Sequence, residues 1–467
     1  MDRGVTKALV RCARWVPLAV LCGVFAACAP VADGPGPAHR LAVEVPSLPP
    51  ARSFPGRGAS QPMRANADIA RDFLDLAFEL ESGRSLPVFT RFDEPVTVRL
   101  AGDPSHGLKA DLDALLRRLR AEAGIDIRRI GSGPAAITVE AVPGAQIRRV
   151  LPQAACFVVP EVSSLAEYLA ARRGGLTSWT ELTRRDQVAI FLPMDVSPQE
   201  ARDCLHEELA QALGPLNDLY RLPDSVFNDD NMHTVLTGFD MLILRAYHDP
   251  ALQNGMSRDQ VAARLPAILA RLNPAGERVA PRPLPATPRA WIEAIQTALG
   301  PGAPPARRQA AAAEAVRIAE AQGWRDHRLA FAHFAFGRVS QHTDPEGARR
   351  AFEEADRIYA ALPEAGVHRA FAAAQLAAYA LAEGDADRVR GLTEAHLPVA
   401  ARHENAMLMA TLMLLRAEAL AMQGQRSDAR AVRVDSLGWA RYGFGPEWAV
   451  RAKLQEIAAL NPTDPRG

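Results

Sequence analysis

Apolar positions recur along the chain at two spacings, and each predicts a different element. Ile69, Phe73, Leu76 and Leu80 share one helical face, and so do Leu108, Leu112, Leu115 and Leu119 in a segment that ends at Gly124. Alternating or β-branched runs predict strands at 96–100, 125–130, 135–142, 155–160 and 187–193. The next stretch, "SPQEARDCLHEELAQALG" at 197–214, predicts a helix with Ser197 as N-cap, Pro198 in the first turn and Glu200 as capping-box partner. Gly214 and Pro215 stop it. Helices and strands therefore mix over residues 66–272, and the fold class expected there is α+β.

The pattern changes after residue 272. Residues 273–306 are rich in proline, with one short helix around "WIEAIQTAL", and read as a linker. Residues 307–462 are Ala-rich and almost wholly helical in pattern. Turn signals at 343–348, 383–388 and 423–429 recur every 40 residues, counted on Asp344, Gly384 and Gly424. An apolar helix precedes each turn and a helix with small residues follows it, which predicts a C-terminal all-α helical-repeat domain. It resembles tetratricopeptide repeats at Ala417, Gly424 and Ala429; a non-repetitive bundle is the alternative. The resemblance implies a protein or peptide partner bound by the repeats. Met407, Met409, Met413 and Met422 sit at helical spacing and are expected in the core.

The first residues belong to a different class. Arg3, Lys7, Arg11 and Arg14 flank an apolar run at 15–27 that is too short to span a bilayer and suits a signal peptide. "FAAC", ending at Cys28, resembles a bacterial lipobox, which implies a lipidated cysteine and an outer-membrane lipoprotein facing the periplasm. A plain secretory signal with a soluble periplasmic product is the alternative. Residues 29–65 are dense in Pro and Gly and predict a disordered tether. The formal net charge is zero, and loss of residues 1–27 leaves −3, so nothing draws the chain toward nucleic acid. Export leaves two cysteines besides Cys28. Cys156 and Cys204 are expected to form a disulfide in an oxidising compartment, worth roughly 3–4 kcal/mol, against two buried free thiols.

The candidate chemistry lies on the helix at 197–214. His206-Glu207 begins no metal motif, because Ala210 stands four residues after the histidine. One residue later the spacing closes: Glu207, Glu208, Gln211, Gly214 and Asn217 make E-E-x-x-Q-x-x-G-x-x-N. This resembles the metzincin frame H-E-x-x-H-x-x-G-x-x-H. The resemblance places Glu207, Gln211 and Asn217 at the three metal-ligand positions, Glu208 at the general base and Gly214 at the turn. It extends to a serine-containing turn, "LPDSVFNDD", with Ser225 present and Phe227 where methionine is usual, and to a closing helix with Asp240 and Tyr247. The combination also resembles a family of bacterial lipoproteins, domain of unknown function 2927, which implies export and assigns no activity.

One carboxylate and two amides suit zinc poorly; a hard divalent cation fits oxygen donors better. The cofactor expectation is therefore none or unknown, with zinc disfavoured and a hard divalent cation the candidate. Glu207, Glu208 and Asp218 offer paired carboxylates, and His233 is near enough in sequence to be recruited. His206 points about 100° away from Glu207 on a helix and reads as a surface or supporting residue. "FNDDN" lacks the alternating ligands of a calcium loop and reads as an Asx-rich turn. The leading expectation is a zincin-like binding or assembly module of the cell envelope, lacking zinc histidines, for a peptide, glycan or protein partner. The alternative is a hydrolase of envelope peptides or peptidoglycan with Glu208 as base.

Overall fold

In this computed structural model the described residues are 48–463, apart from 55, 57 and 59. The signal-like segment and Cys28 lie outside them. The strands form where the β-branched runs predict them: β1 (Val96–Gly102), β2 (Ile127–Ile130), β3 (Ile137–Val142), β4 (Phe157–Pro160) and β5 (Val188–Pro193). They make one mixed sheet in the order β2-β1-β3-β5-β4. β1 runs parallel to β2 and β3, β5 runs parallel to β3, and β4 is antiparallel to β5. β5 is buried on both faces, which is why its sequence is an unbroken apolar run.

Eight helices accompany the sheet: α1 (Asn66–Phe78), α2 (His106–Arg118), α3 (Gly144–Val150), α4 (Leu165–Ala171), α5 (Pro198–Leu213), α6 (Gly238–Tyr247), α7 (Arg258–Ala262) and α8 (Leu265–Leu272). The predicted helical faces are the buried ones. Ile69, Phe73 and Leu76 of α1 and Leu108, Leu112 and Leu115 of α2 enter one core with the sheet and α5. The chain leaves α2 through one π-helical turn, Leu119–Ala123, that ends at Gly124 with φ +69°, a left-handed cap that favours glycine.

The second half is helical throughout: α9 (Arg289–Leu299), α10 (Pro305–Ala321), α11 (His327–Ser340), α12 (Pro345–Ala360), α13 (Gly366–Ala382), α14 (Ala386–Arg402), α15 (Ala406–Met422), α16 (Arg426–Phe444) and α17 (Glu447–Ala458). The turns expected at 343–348, 383–388 and 423–429 separate α11 from α12, α13 from α14 and α15 from α16. Asp344 and Asp385 cap the helices that follow by accepting from Gly347 and Arg388 amides. The molecule is thus α+β, with a small five-stranded mixed sheet in its first part and helices dominating its second. Among the described residues no helix is long and apolar enough to cross a membrane.

Three expectations change. α9, within the proline-rich stretch 273–306, is packed rather than spacing: its Trp291 is fully buried and shares a core with Tyr220, Trp324 and Phe331. The end of the expected tether is also docked. The Arg52 amide donates to Gly438 O at 3.0 Å, and Phe54 stacks on Trp439 with ring centroids 4.6 Å apart. An extended, proline-rich chain has no internal backbone bonds, so its amides and carbonyls are free to bond to a surface it lies on. Met413 is buried as expected and Met409 and Met422 pack half-buried against the cores, but Met407 is exposed in the first turn of α15.

The sheet region and the helices meet closely. Arg202 of α5 pairs with Glu404, Gln199 donates to Asn405 Oδ1 at 3.2 Å, and the Met407 amide donates to Gln199 Oε1 at 2.9 Å. The loop at 219–232 sends Tyr220 and Met232 into the helical core.

Candidate functional site: an acidic cleft along helix α5

α5 is fixed at both ends and along its length. Ser197 accepts from the Glu200 amide at 3.1 Å, as expected of the N-cap, without the return bond from the Glu200 side chain that would close the expected capping box. Leu205, Leu209 and Leu213 are wholly buried in the first core. Cys204 is bonded to Cys156, just before β4, so the expected disulfide ties the helix to the edge of the sheet. At the far end Arg185 donates to the carbonyls of Gln211 and Ala212 at 2.7 and 2.8 Å and to that of Gly214. A cation at a helix C-terminus satisfies carbonyls that have no partner within the helix and opposes the helix dipole. Gly214 is required by crowding: a Cβ there would sit 2.9 Å from the Tyr247 ring.

The frame positions do not all converge. Glu81 acts on Glu207 and bonds to the Gln211 side chain, so these two share one face of α5. Asn217 is committed elsewhere, donating from Nδ2 to Asp75 O, at the end of α1, at 3.1 Å. Among the described residues no three His, Cys, Asp or Glu side chains converge to hold a metal ion. One carboxylate, one amide and a tethered amide fit neither zinc nor a harder cation.

What the fold assembles is a cluster of acids. Glu207, Glu208 and Asp218 were legible as a carboxylate group; Glu81, in the turn after α1, and Asp229, in the Asx-rich turn, join them from a distance in sequence. Glu81 and Asp229 are exposed at the rim, Glu207 and Asp218 are half-buried, and Glu208 is 5% exposed. Glu81 and Asp218 share a hydrogen bond. Tyr220 donates to Asp229 Oδ2 at 2.8 Å. Among the described residues none of the five makes an ion pair with Arg, Lys or His. Glu208 Oε2 and Asp218 Oδ1 are buried without a hydrogen-bond partner.

Burial and like charge act together on these groups. Desolvation, then Glu81 and Asp229, push Glu207 up to about 8. Desolvation and the neighbouring acids hold Glu208 and Asp218 well above the carboxylate range. Glu81 and Asp229 are also raised, chiefly by desolvation. Burial and the neighbouring acids therefore favour the neutral form of Glu208 over the ionised one, which weakens it as a general base.

The turn and closing helix are structural. Ser225 donates to Asp240 Oδ1, and the Val226 and Thr237 amides donate to Asp240 Oδ2 at 3.2 and 2.7 Å. The Phe227 amide donates to Ser225 Oγ at 2.9 Å, and the Phe227 ring is fully buried. Tyr247 donates to Thr90 O at 3.1 Å.

Neither histidine considered for the site reaches it. His206 is buried, not on the surface; its Nδ1 accepts from the Leu236 amide at 3.1 Å, and burial holds it neutral, well below its ordinary value. His233 turns away into a second polar cluster, against the helical array. There Asp230 and His368 pair at 2.7 Å with both side chains buried, and His233 lies 5.8 Å from His368 and 5.2 Å from His403 between ring centroids. His327 and Tyr359 close the group.

Residues 66–267 match the family described as "Protein of unknown function (DUF2927)". No curated protein matches the chain, and no solved structure does.

Proposed function

We propose, starting from residues 66–267 as a DUF2927 domain, that this chain is an exported, lipid-anchored binding or assembly protein of the cell envelope. The zincin-like part would hold a peptide or glycan ligand in the cleft along α5. The tetratricopeptide-like part would bind a protein partner. One observation carries the reading: five carboxyls share a cleft that supplies no cation of its own. Buried acids with no counter-charge cost stability, and groups shifted this strongly gather at functional sites. The Cys156–Cys204 disulfide suits an oxidising compartment and supports export.

The hydrolase reading finds less support. A general base must be ionised, and the surroundings of Glu208 favour its neutral form.

Two experiments test the proposal. Cys28→Ala should move the full-length protein from the membrane to the soluble fraction; an unchanged membrane fraction would remove the anchor. Envelope peptides and glycan fragments should bind the purified mature protein saturably, and Glu81→Lys with Asp229→Lys should abolish that binding. Binding indifferent to the charge reversal would move the site away from α5.

A further inference from the structure

We infer that the cleft along α5 recognises a single organic cation, the ammonium or guanidinium head of a basic side chain or amine carried on a peptide. The inference rests on the cleft being the ligand site proposed above and names what that site reads. Three features point to it. The acids are graded in depth, from exposed Glu81 and Asp229 through half-buried Glu207 and Asp218 to Glu208. A long, flexible side chain with a charged tip can meet the exposed carboxylates first and carry its head toward the buried one.

The second feature is the supply of acceptors. Glu208 Oε2, on a side chain 95% buried, and Asp218 Oδ1 lack partners. An ammonium brings three N–H donors and a guanidinium five, and bonds between such donors and carboxylates are among the stronger ones in proteins. The third is spacing. No three of these acids converge on a point where a metal ion could bind. Dispersed carboxylates fit a cation whose N–H groups point in several directions.

The rim also joins the two halves of the molecule. Gln296 of α9 reaches Asp229 Oδ2 at 3.5 Å, and Tyr220, which orients the same carboxylate, packs edge-on against Trp291 of α9 with centroids 5.0 Å apart. α9 therefore helps to place Asp229 at the edge of the cluster.

The test uses the mature protein and three fluorescent peptides that differ at one central residue: lysine, arginine or norleucine. The lysine or the arginine peptide should bind at least about tenfold more tightly than the norleucine peptide. Glu81→Gln with Asp229→Asn should erase that difference, and Glu208→Gln should reduce it. Glu394→Gln, an exposed acid on α14, should leave it unchanged and so exclude general attraction to a polyanion. Equal binding of all three peptides would overturn the cation assignment while leaving a peptide-binding cleft. Failure of all three to bind would overturn both. Binding of Mn²⁺ that excludes the lysine peptide would assign the cleft to a metal instead.

Discussion

Asp229 and Asp230 are neighbours in sequence and opposites in circumstance. Asp229 is exposed at the cleft and its carboxyl is raised, by desolvation against the bonds from Tyr220 and Gln296. Asp230 is buried, yet its carboxyl is lowered: desolvation pushes it up, and the charge and hydrogen bond of His368, helped by His233, outweigh that push. Asn231 follows with φ +56°, a left-handed turn that asparagine tolerates better than most residues. The two side chains thus serve different surfaces. Burial alone does not decide how an acid behaves; the partners built in around it do. The histidine cluster gives Asp230 a built-in hydrogen-bond partner in His368 and fastens the sheet region to the helices. The acids along α5 have no such partner among the described residues.

The largest expected effect lies in the cluster. Asp230→Ala would leave His368 buried without its partner and should lower unfolding stability by about 3–5 kcal/mol in denaturant titration. A loss under about 1 kcal/mol would reduce the pair to decoration. Cys156→Ser with Cys204→Ser should cost about 2–4 kcal/mol, since the bridge closes a span of 48 residues and anchors α5. No change in denaturation midpoint would show that the caps and core hold α5 without it.

The two regions should also respond to pH with opposite signs. Burial lowers His327 to about 4 and His403 to about 3. The unfolded chain takes up these protons first, so this stability is present above about pH 6.5 and is lost as pH falls through 4 and 3. Glu207 is raised to about 8, so the folded chain keeps that proton longer. Its contribution is present below about pH 4.5 and is lost as pH rises through 8. Denaturation midpoints across pH should show His403→Asn easing the acid loss and Glu207→Gln easing the alkaline loss. If Glu207→Gln leaves the alkaline limb unchanged, the cleft is better solvated than its geometry implies. The smallest effect is expected from Glu208→Gln. The replacement keeps the side chain's size and is neutral, the form that burial already favours at this position, so stability near neutral pH should change by less than about 1 kcal/mol.

The sequence reveals these two regions unequally. The strands, the Ser197 cap, the turns of the array and the cysteine pair were legible, because each is written in local spacing or in a count of two. Glu207, Glu208 and Asp218 were legible because one helix and its exit carry them. Glu81 and Asp229 were not, since only the folded path brings the turn after α1 beside α5. Arg185 gave no signal: nothing local distinguishes a buried helix-capping arginine from an exposed one. The histidine cluster draws on residues from 230 to 403, a convergence that no short pattern encodes. The metzincin-like spacing was real as spacing, but Asn217 bonds to Asp75 instead of facing Glu207 with Gln211.

The most direct test sets Asp229→Asn beside Asp230→Asn and measures denaturation midpoint and binding of the lysine peptide on both. Asp229→Asn should weaken binding while stability holds or rises. Asp230→Asn should lower stability while the folded fraction still binds. The opposite assignment, or loss of stability alone in both, would contradict the division between a completed polar clasp and a cleft awaiting a cation.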